Sequence, residues 1–431
     1  MRLRQYHSPL EASFLRTVLH PHIAGQPVER RRGHVHTVPT NMAPSNEHLQ
    51  NGSSVDTNPA NHTTNMEAHP TSTAWHIPQH ITHDFGSDTL TTPTLSMLQA
   101  ITNCSLTDDI YSPTGDPTTA NLESSIANLA GHEAGLLVMS GTMGNQVAMR
   151  THLTSPPHSV LCDHRAHIAN YEAGGISTLS GAHLITVVPK NNHHLTLEDI
   201  KRRCVVSDDV HSCPTKVISL ENTLAGTIMP LEEIHRIASF AKENNILLHL
   251  DGARVWEAAA SSSTTHGLKD YCSPFDTVSL CFSKGLGAPI GSLLVGNKEF
   301  IKRAKWIRKM FGGSTRQSGI IAAAAHIAVT DTFGTDAHGK DGKLREIHLK
   351  AAEIGKHWQG LGGKLLNPVE TNMVWLDLEA SGVDVKELSR TGGEEGIKLK
   401  SERIVVHYQI SDDALKSLKK TLDRVLKEKK Q

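Results

Sequence analysis

The chain has 431 residues, with 43 Lys and Arg against 44 Asp and Glu and a formal net charge of -1. That length leaves room for roughly two to three domains, and the charge balance argues against a nucleic acid or a membrane surface as the main partner. Apolar residues are 38% and charged residues 20% of the chain; no run of about 18 apolar residues occurs, so no membrane span is expected. The six cysteines (Cys104, Cys162, Cys204, Cys213, Cys272, Cys281) show neither C-x-x-C nor a short Cys/His spacing, which points to a reducing, cytoplasmic compartment and no structural metal.

Residues 1–80 are rich in Ser, Thr, Asn, Pro and His, and eleven of the 28 histidines fall before Asp84. So little apolar surface cannot offset the entropy of ordering, and a disordered extension is expected. His34 and His36 lack the carboxylate or cysteine that a metal site at ligand spacing would need. Arg2, Arg4, Arg16, Arg30, Arg31 and Arg32 face only Glu11 and Glu29, a composition that leaves mitochondrial import open.

From Asp84 onward the texture changes. Leu95, Met97, Leu98 and Ile101 predict a short helix. Asp108-Asp-Ile-Tyr111 leads into a loop marked by Pro113, Gly115 and Pro117, and helical periodicity resumes at Leu122, with Asn121 and Glu123 placed near a start. Leu136 to Met139 reads as a strand, and Ser140-Gly-Thr-Met-Gly-Asn145 opens a helix running to His152. A strand, a small polar turn and a helix N-terminus make an anion site, to which Ser140 and Thr142 add hydroxyls; the same residues also start helices for purely structural reasons. Neither G-x-x-x-x-G-K-[ST] nor G-x-G-x-x-G after a first strand is present, so a nucleotide is not the favoured ligand.

Strands are predicted at Val160 to Cys162, Leu184 to Val188, Lys216 to Leu220, Ile246 to Leu250 and Thr277 to Phe282, with helical stripes such as Leu231 to Lys242 between them. This rhythm is an α/β domain with a mostly parallel sheet, whose ligands lie beyond the carboxyl ends of the strands. Helices follow over Lys298 to Met310, Gln317 to Thr330 and Lys343 to Gln359, then strands at Asn372 to Leu378 and Arg403 to His407 and a closing helix from Asp412. The expected organisation is a large domain over 81–335 and a smaller α+β domain over 336–431.

Four strand ends carry the chemistry. Thr277 to Phe282 delivers Lys284 into a turn containing Gly285, Gly287, Pro289 and Gly291. Desolvation there would favour a neutral amine able to attack a carbonyl, although a solvated turn lysine has the same local sequence. Asp251 ends an apolar run and needs a cation if buried; a protonated pyridine nitrogen and the nearby Arg254 are both candidates. His167 follows Cys162-Asp163 and is either a ring-stacking imidazole or a core histidine. Glu221 closes a further strand. A lysine for a Schiff base, an aspartate for a ring nitrogen, a helix N-terminus for a phosphate and a histidine for a flat ring together describe pyridoxal phosphate.

Eight stretches fix a resemblance: Ser87-Asp-Thr89, Asp108-Asp-Ile-Tyr111, Ser140-Gly-Thr-Met-Gly-Asn145, His167-Ile-Ala-Asn-Tyr-Glu-Ala-Gly174, Leu220-Glu-Asn-Thr223, His249-Leu-Asp-Gly-Ala-Arg254, Ser283-Lys-Gly-Leu-Gly-Ala-Pro289 and Arg316-Gln-Ser-Gly319. In order and near-family spacing, from Asp84 to the C-terminus, they resemble the L-threonine aldolase family. These are pyridoxal-phosphate enzymes of the aspartate-aminotransferase fold, fold type I, to which alanine racemases of peptide-toxin pathways are also similar. The resemblance implies Lys284 as the Schiff-base lysine, Asp251 as partner of the ring nitrogen and His167 as the stacked imidazole. It also implies Gly141 and Thr142 as the phosphate cradle, and Ser87, Arg254 and Arg403 as the grip on the substrate carboxylate, with Arg254 beside the cofactor as well. Tyr111, Lys309 and Arg316 match positions at a subunit interface, so a homodimer or homotetramer is implied. The implied activity is cleavage of L-threonine or L-allo-threonine to glycine and an aldehyde, with His167 or a bound water as base. Alanine racemisation and a cofactor-binding scaffold without catalysis remain as alternatives. Three departures stand out: the longer loop Asp108 to Pro117, the sequence Gly312-Gly-Ser-Thr-Arg-Gln317, and Leu224 where many bacterial members have histidine.

Overall fold

The computed structural model describes His80 to Lys427, so the expected disordered extension, its histidines and the arginine-rich start lie outside the described residues. The large sheet is built from β1 (Ala134–Val138), β2 (Ser159–Asp163), β3 (His183–Val187), β4 (Thr215–Glu221), β5 (Leu247–Gly252), β6 (Thr277–Cys281) and β7 (Ser292–Gly296). Their order is β1-β7-β6-β5-β4-β2-β3. The run from β3 to β6 pairs in parallel, and β7 is antiparallel to both of its neighbours. Periodicity does not reveal β7: all five of its residues are buried, and a short strand covered on both faces has no alternation to read.

Among the described residues three α-helices precede β2 in the chain: α1 (Leu95–Thr102), α2 (Pro117–Ala130) and α3 (Gly141–His152). The sequence reading places Pro117 in a loop and starts the second helix near Asn121; the structure corrects this. Pro117 is the first helical residue, where its missing N–H costs nothing. Asp116 caps the helix, its Oδ1 accepting from Thr119 N at 2.9 Å. The helix expected over Gln317 to Thr330 runs instead over Gly319–Ala328 and continues as a wider turn over Val329–Phe333.

The core lies on both faces of the parallel strands. Helix Leu231–Glu243 buries Leu231, Ile234, Ile237 and Ala241, the stripe that its 3.6-residue period predicts. Leu250, Val278, Leu280 and Phe282 are fully buried, each contributing about 1.5–3 kcal/mol by removal from water. Trp256 donates from Nε1 to Cys281 O at 3.1 Å and meets Phe333 edge-on at 5.1 Å. All six cysteines are free.

The C-terminal part carries an antiparallel sheet of β8 (Lys364–Leu365), β9 (Met373–Asp377) and β10 (Arg403–Val405) in the order β10-β9-β8. The first described residues join it: Phe85 N donates to Lys398 O at 3.1 Å and Val405 N to Phe85 O at 2.9 Å. That crossing brings Asp88 within reach of Arg254 and Asn372. Among the described residues no helix is long and apolar enough to cross a membrane.

Candidate active site

Strand register assembles the site. Glu221 at the end of β4 lies opposite Asp251 of β5, and Asp251 lies opposite Ser279 of β6. Lys284 follows β6 in a turn closed by Gly287 N to Lys284 O at 3.0 Å and Phe282 N to Gly291 O at 3.1 Å. Gly287, at φ 89, takes a left-handed conformation that a side chain would oppose. Thr91 Oγ1 donates to Lys284 O at 2.8 Å. The lysine's charge reaches Asp88, His167 and Glu221.

Asp251 is 3% exposed. Its Oδ1 accepts from Ala253 N at 3.0 Å and its Oδ2 from Asn145 Nδ2 at 2.8 Å, which leaves lone pairs for a cationic N–H. The same amide nitrogen donates to Glu172 Oε1 at 2.8 Å, and Glu172 also accepts from Gln146 Nε2 at 2.6 Å and bonds His167 Nδ1 at 2.8 Å. The Glu172 hydrogen bond raises the His167 pKa against the opposing pull of burial. Beneath them His249, held neutral by burial with its pKa pushed down to about 4, meets Asn145 Oδ1 through Nε2 at 3.1 Å. Ligand atoms of His167, Glu172 and Asp251 fall within 4.8 Å of one another, a closeness that these hydrogen bonds account for.

The pairing of Asp251 with Arg254 that the sequence left open is not formed. Arg254 instead grips Asp88 with two bonds, Nε to Oδ2 and Nη2 to Oδ1, both 2.7 Å. Burial alone would raise the Asp88 pKa, but the guanidinium overrides it and holds the carboxyl at about 2.

At the other end of the site Ser140 caps α3, accepting from Met143 N at 3.1 Å, and Gly141 and Thr142 form its first turn. A Cβ on Gly141 would lie 3.8 Å from Ser292 Oγ, and that hydroxyl is buried without a hydrogen-bond partner. Free helix N–H groups beside an unsatisfied hydroxyl suit a phosphate. Together with the buried carboxylate at Asp251, they fit the two poles of pyridoxal phosphate.

A cavity of about 450 Å³ lies over these strand ends. Of the residues singled out in the sequence, Lys284, His167, Arg254 and Arg403 line it, joined by Glu221, Thr89, Tyr171, Leu224, Met373 and Trp375. Arg403 donates from Nη2 to Gly86 O at 2.9 Å. Ser87 lies just outside the wall: its Oγ accepts from Thr89 N at 3.2 Å, and Thr89 lines the cavity. Tyr111, Lys309 and Arg316 do not line it. Tyr111 is 75% exposed, with the Arg316 guanidinium 4.9 Å over its ring, and Arg316 also meets Asp108 at 3.3 Å. Asp88, Asn145, Glu172 and Glu221 were given no role by the sequence reading. Each sits inside a stretch already marked, and a buried polar residue within a motif is the signal that would have found it.

Residues 84–381 match the beta-eliminating lyase family. The aldolase vrtJ of Penicillium aethiopicum is 48% identical over 354 residues, 82% of this chain and 89% of that protein. A low-specificity L-threonine aldolase of Eremothecium gossypii is 45% identical over 341 residues, 79% of this chain and 86% of its own. The alanine racemase TOXG of Cochliobolus carbonum is 42% identical over 354 residues, 82% of this chain and 90% of its own. Two solved structures share the fold. Leishmania major threonine aldolase has a TM-score of 0.64 and 19% identity over 80% of this chain and 99% of that one. A structure of SPT with PLP has a TM-score of 0.61 and 15% identity over 82% of this chain and 92% of that one. The chain therefore belongs to the beta-eliminating lyase family and takes the fold of these two solved structures.

Proposed function

We propose that the protein is a carbon–carbon lyase that uses pyridoxal phosphate to cleave L-threonine, L-allo-threonine and related β-hydroxy-α-amino acids to glycine and an aldehyde. The observation that carries this reading is the meeting of Lys284, Arg254, Arg403 and His167 in one cavity above the buried Asp251. The threonine aldolase relative, 45% identical, supports it. When bound, the cofactor would supply an electron sink conjugated with the amino acid's Cα through its amino nitrogen.

The chain's own residues do the rest. Lys284 would hold the cofactor through its aldehyde carbon. Asp251 keeps a proton on the ring nitrogen, with Asn145 fixing the carboxylate's orientation, and Gly141 and Thr142 cradle the phosphate. His167 covers the ring, its charge balanced by Glu172. Arg403 binds the substrate carboxylate and Arg254 adds the N–H groups that Asp88 does not occupy, with Ser87 on the same side. Where Arg403 and Arg254 clamp the carboxylate would decide which Cα bond is oriented to break. Tyr111, Lys309 and Arg316 serve a neighbouring subunit in a homodimer or homotetramer. Six free cysteines suit a cytoplasmic setting.

Incubating purified protein with L-threonine, L-allo-threonine and L-alanine tests this: glycine and acetaldehyde are expected from one or both of the first two. The racemase relative, matching the same 82% of the chain, supports a second reading in which Cα–H is the bond broken. D-alanine without aldehyde would establish that reading and remove the first.

A further inference from the structure

Glu221 is the single carboxylate among the described residues that line the 450 Å³ cavity. It ends β4 directly opposite Asp251. Its Oε2 accepts from His167 N at 2.8 Å, and Oε1 makes no hydrogen bond among the described residues. From this placement we propose that Glu221 is the general base that takes the proton of the substrate's β-hydroxyl, a role that rests on the lyase reading above.

The imidazole in the wall is less suited. His167 is bound through Nδ1 to Glu172, and that bond favours its protonated form, whereas a base must enter the step without its proton. Glu221 is tuned the other way by its surroundings. Burial first, then the charge of Asp251, raise its pKa well above the usual carboxylate range, while His167 and Lys284 draw it down. Arg254 adds a cation on the same side, and Cys162 of β2 is a further titratable neighbour. Pairing Asp251 with the cofactor's ring cation removes the main repulsion. Glu221 then shifts toward its ionised form when the site is loaded.

The step balances. The hydroxyl O–H bond breaks and an O–H bond to Glu221 forms; the released oxygen pair becomes the second bond of the aldehyde carbonyl. The Cα–Cβ bond breaks, and its electron pair stays with Cα, drawn into the cofactor. Cα then takes a proton from solvent to give glycine.

The test uses the cofactor-loaded protein and the variants Glu221→Gln and Glu221→Asp. The Gln variant is expected to cleave the wild type's preferred substrate at least about 100-fold more slowly, while exchange of glycine's α-proton with heavy water, which needs no hydroxyl base, falls by less than about tenfold. The Asp variant keeps partial cleavage, and the rising limb of its kcat/KM against pH is displaced. A readout without turnover accompanies these. A carboxyl whose folded pKa is raised weakens the native state as pH climbs above the unfolded value, so cofactor-free Glu221→Gln should melt higher than wild type near pH 8, with the gap closing near pH 5. Cleavage by the Gln variant within about threefold of wild type, or cleavage and exchange lost together, overturns the assignment. If the Gln variant does not fold, an unmoved pH limb in Glu221→Asp overturns it equally. A wild type that releases no aldehyde from either amino acid overturns the lyase reading instead.

Discussion

Asp88 shows how a single side chain can hold two parts of the molecule together. It is fully buried, paired twice with Arg254 after β5, and 3.3 Å from Asn372 Nδ2 before β9. Asp88→Asn leaves the guanidinium buried without its counter-charge, and should cost about 3–5 kcal/mol in urea unfolding. Because the folded pKa lies below the unfolded one, the pair's contribution is fully present above about pH 4 and fades as pH falls toward about 2; urea midpoints measured across that window should drop further in wild type than in the variant. Asn145 gives a second prediction. Its amide nitrogen donates to both Asp251 and Glu172, so Asn145→Asp places a third acid between two others and should weaken cofactor binding by about tenfold or more, followed by absorbance titration. Lys284, Asp251 and His167 were legible in the sequence because each follows an apolar strand. Their partners were not. Arg254 stands three residues from Asp251 yet bonds Asp88, 166 positions away, and only the folded register decides such a choice.

At the scale of elements, the close seating of α3 on the sheet aims the turn proposed to hold the phosphate. A Cβ on Gly144 would meet Ser279 Oγ and lie 3.3 Å from Ser279 Cβ, so Gly144→Ala must lift the helix off β6. About 1–3 kcal/mol of stability should be lost through overpacking, visible as a lower Tm, along with weaker binding of inorganic phosphate to the cofactor-free protein. The parallel strands were readable because apolar runs with turn signals alternate with helical stripes. The reversed β7 and the true start of α2 were hidden for different reasons. β7 is buried on both faces and carries no pattern, and Pro117 breaks helices everywhere except at the first position, which Asp116 prepares for it.

For the whole molecule, the proposed homo-oligomer makes one measurable demand. Arg316 and Tyr111 lie outside the cavity wall, stacked on each other at the surface, and Leu95 and Ile320 are exposed nearby in sequence to the same helices. If Arg316 completes a neighbour's site, mixing inactive Arg316→Ala and Lys284→Ala protomers should restore up to about a quarter of wild-type activity in a random dimer population; no recovery after mixing denies the shared site. The sheet itself carries a different consequence. Lys284 stands between two neighbouring strands of the sheet, β6 and β7, and the turn that holds it is bonded to both sides. The amides of Phe282, Gly287 and Ala288 are bonded across that turn and buried, so in deuterium exchange they should open far more slowly than that of the exposed Ile290. Heat should then silence the proposed Schiff-base amine at the same temperature at which the protein melts, with no earlier loosening of the turn that carries it.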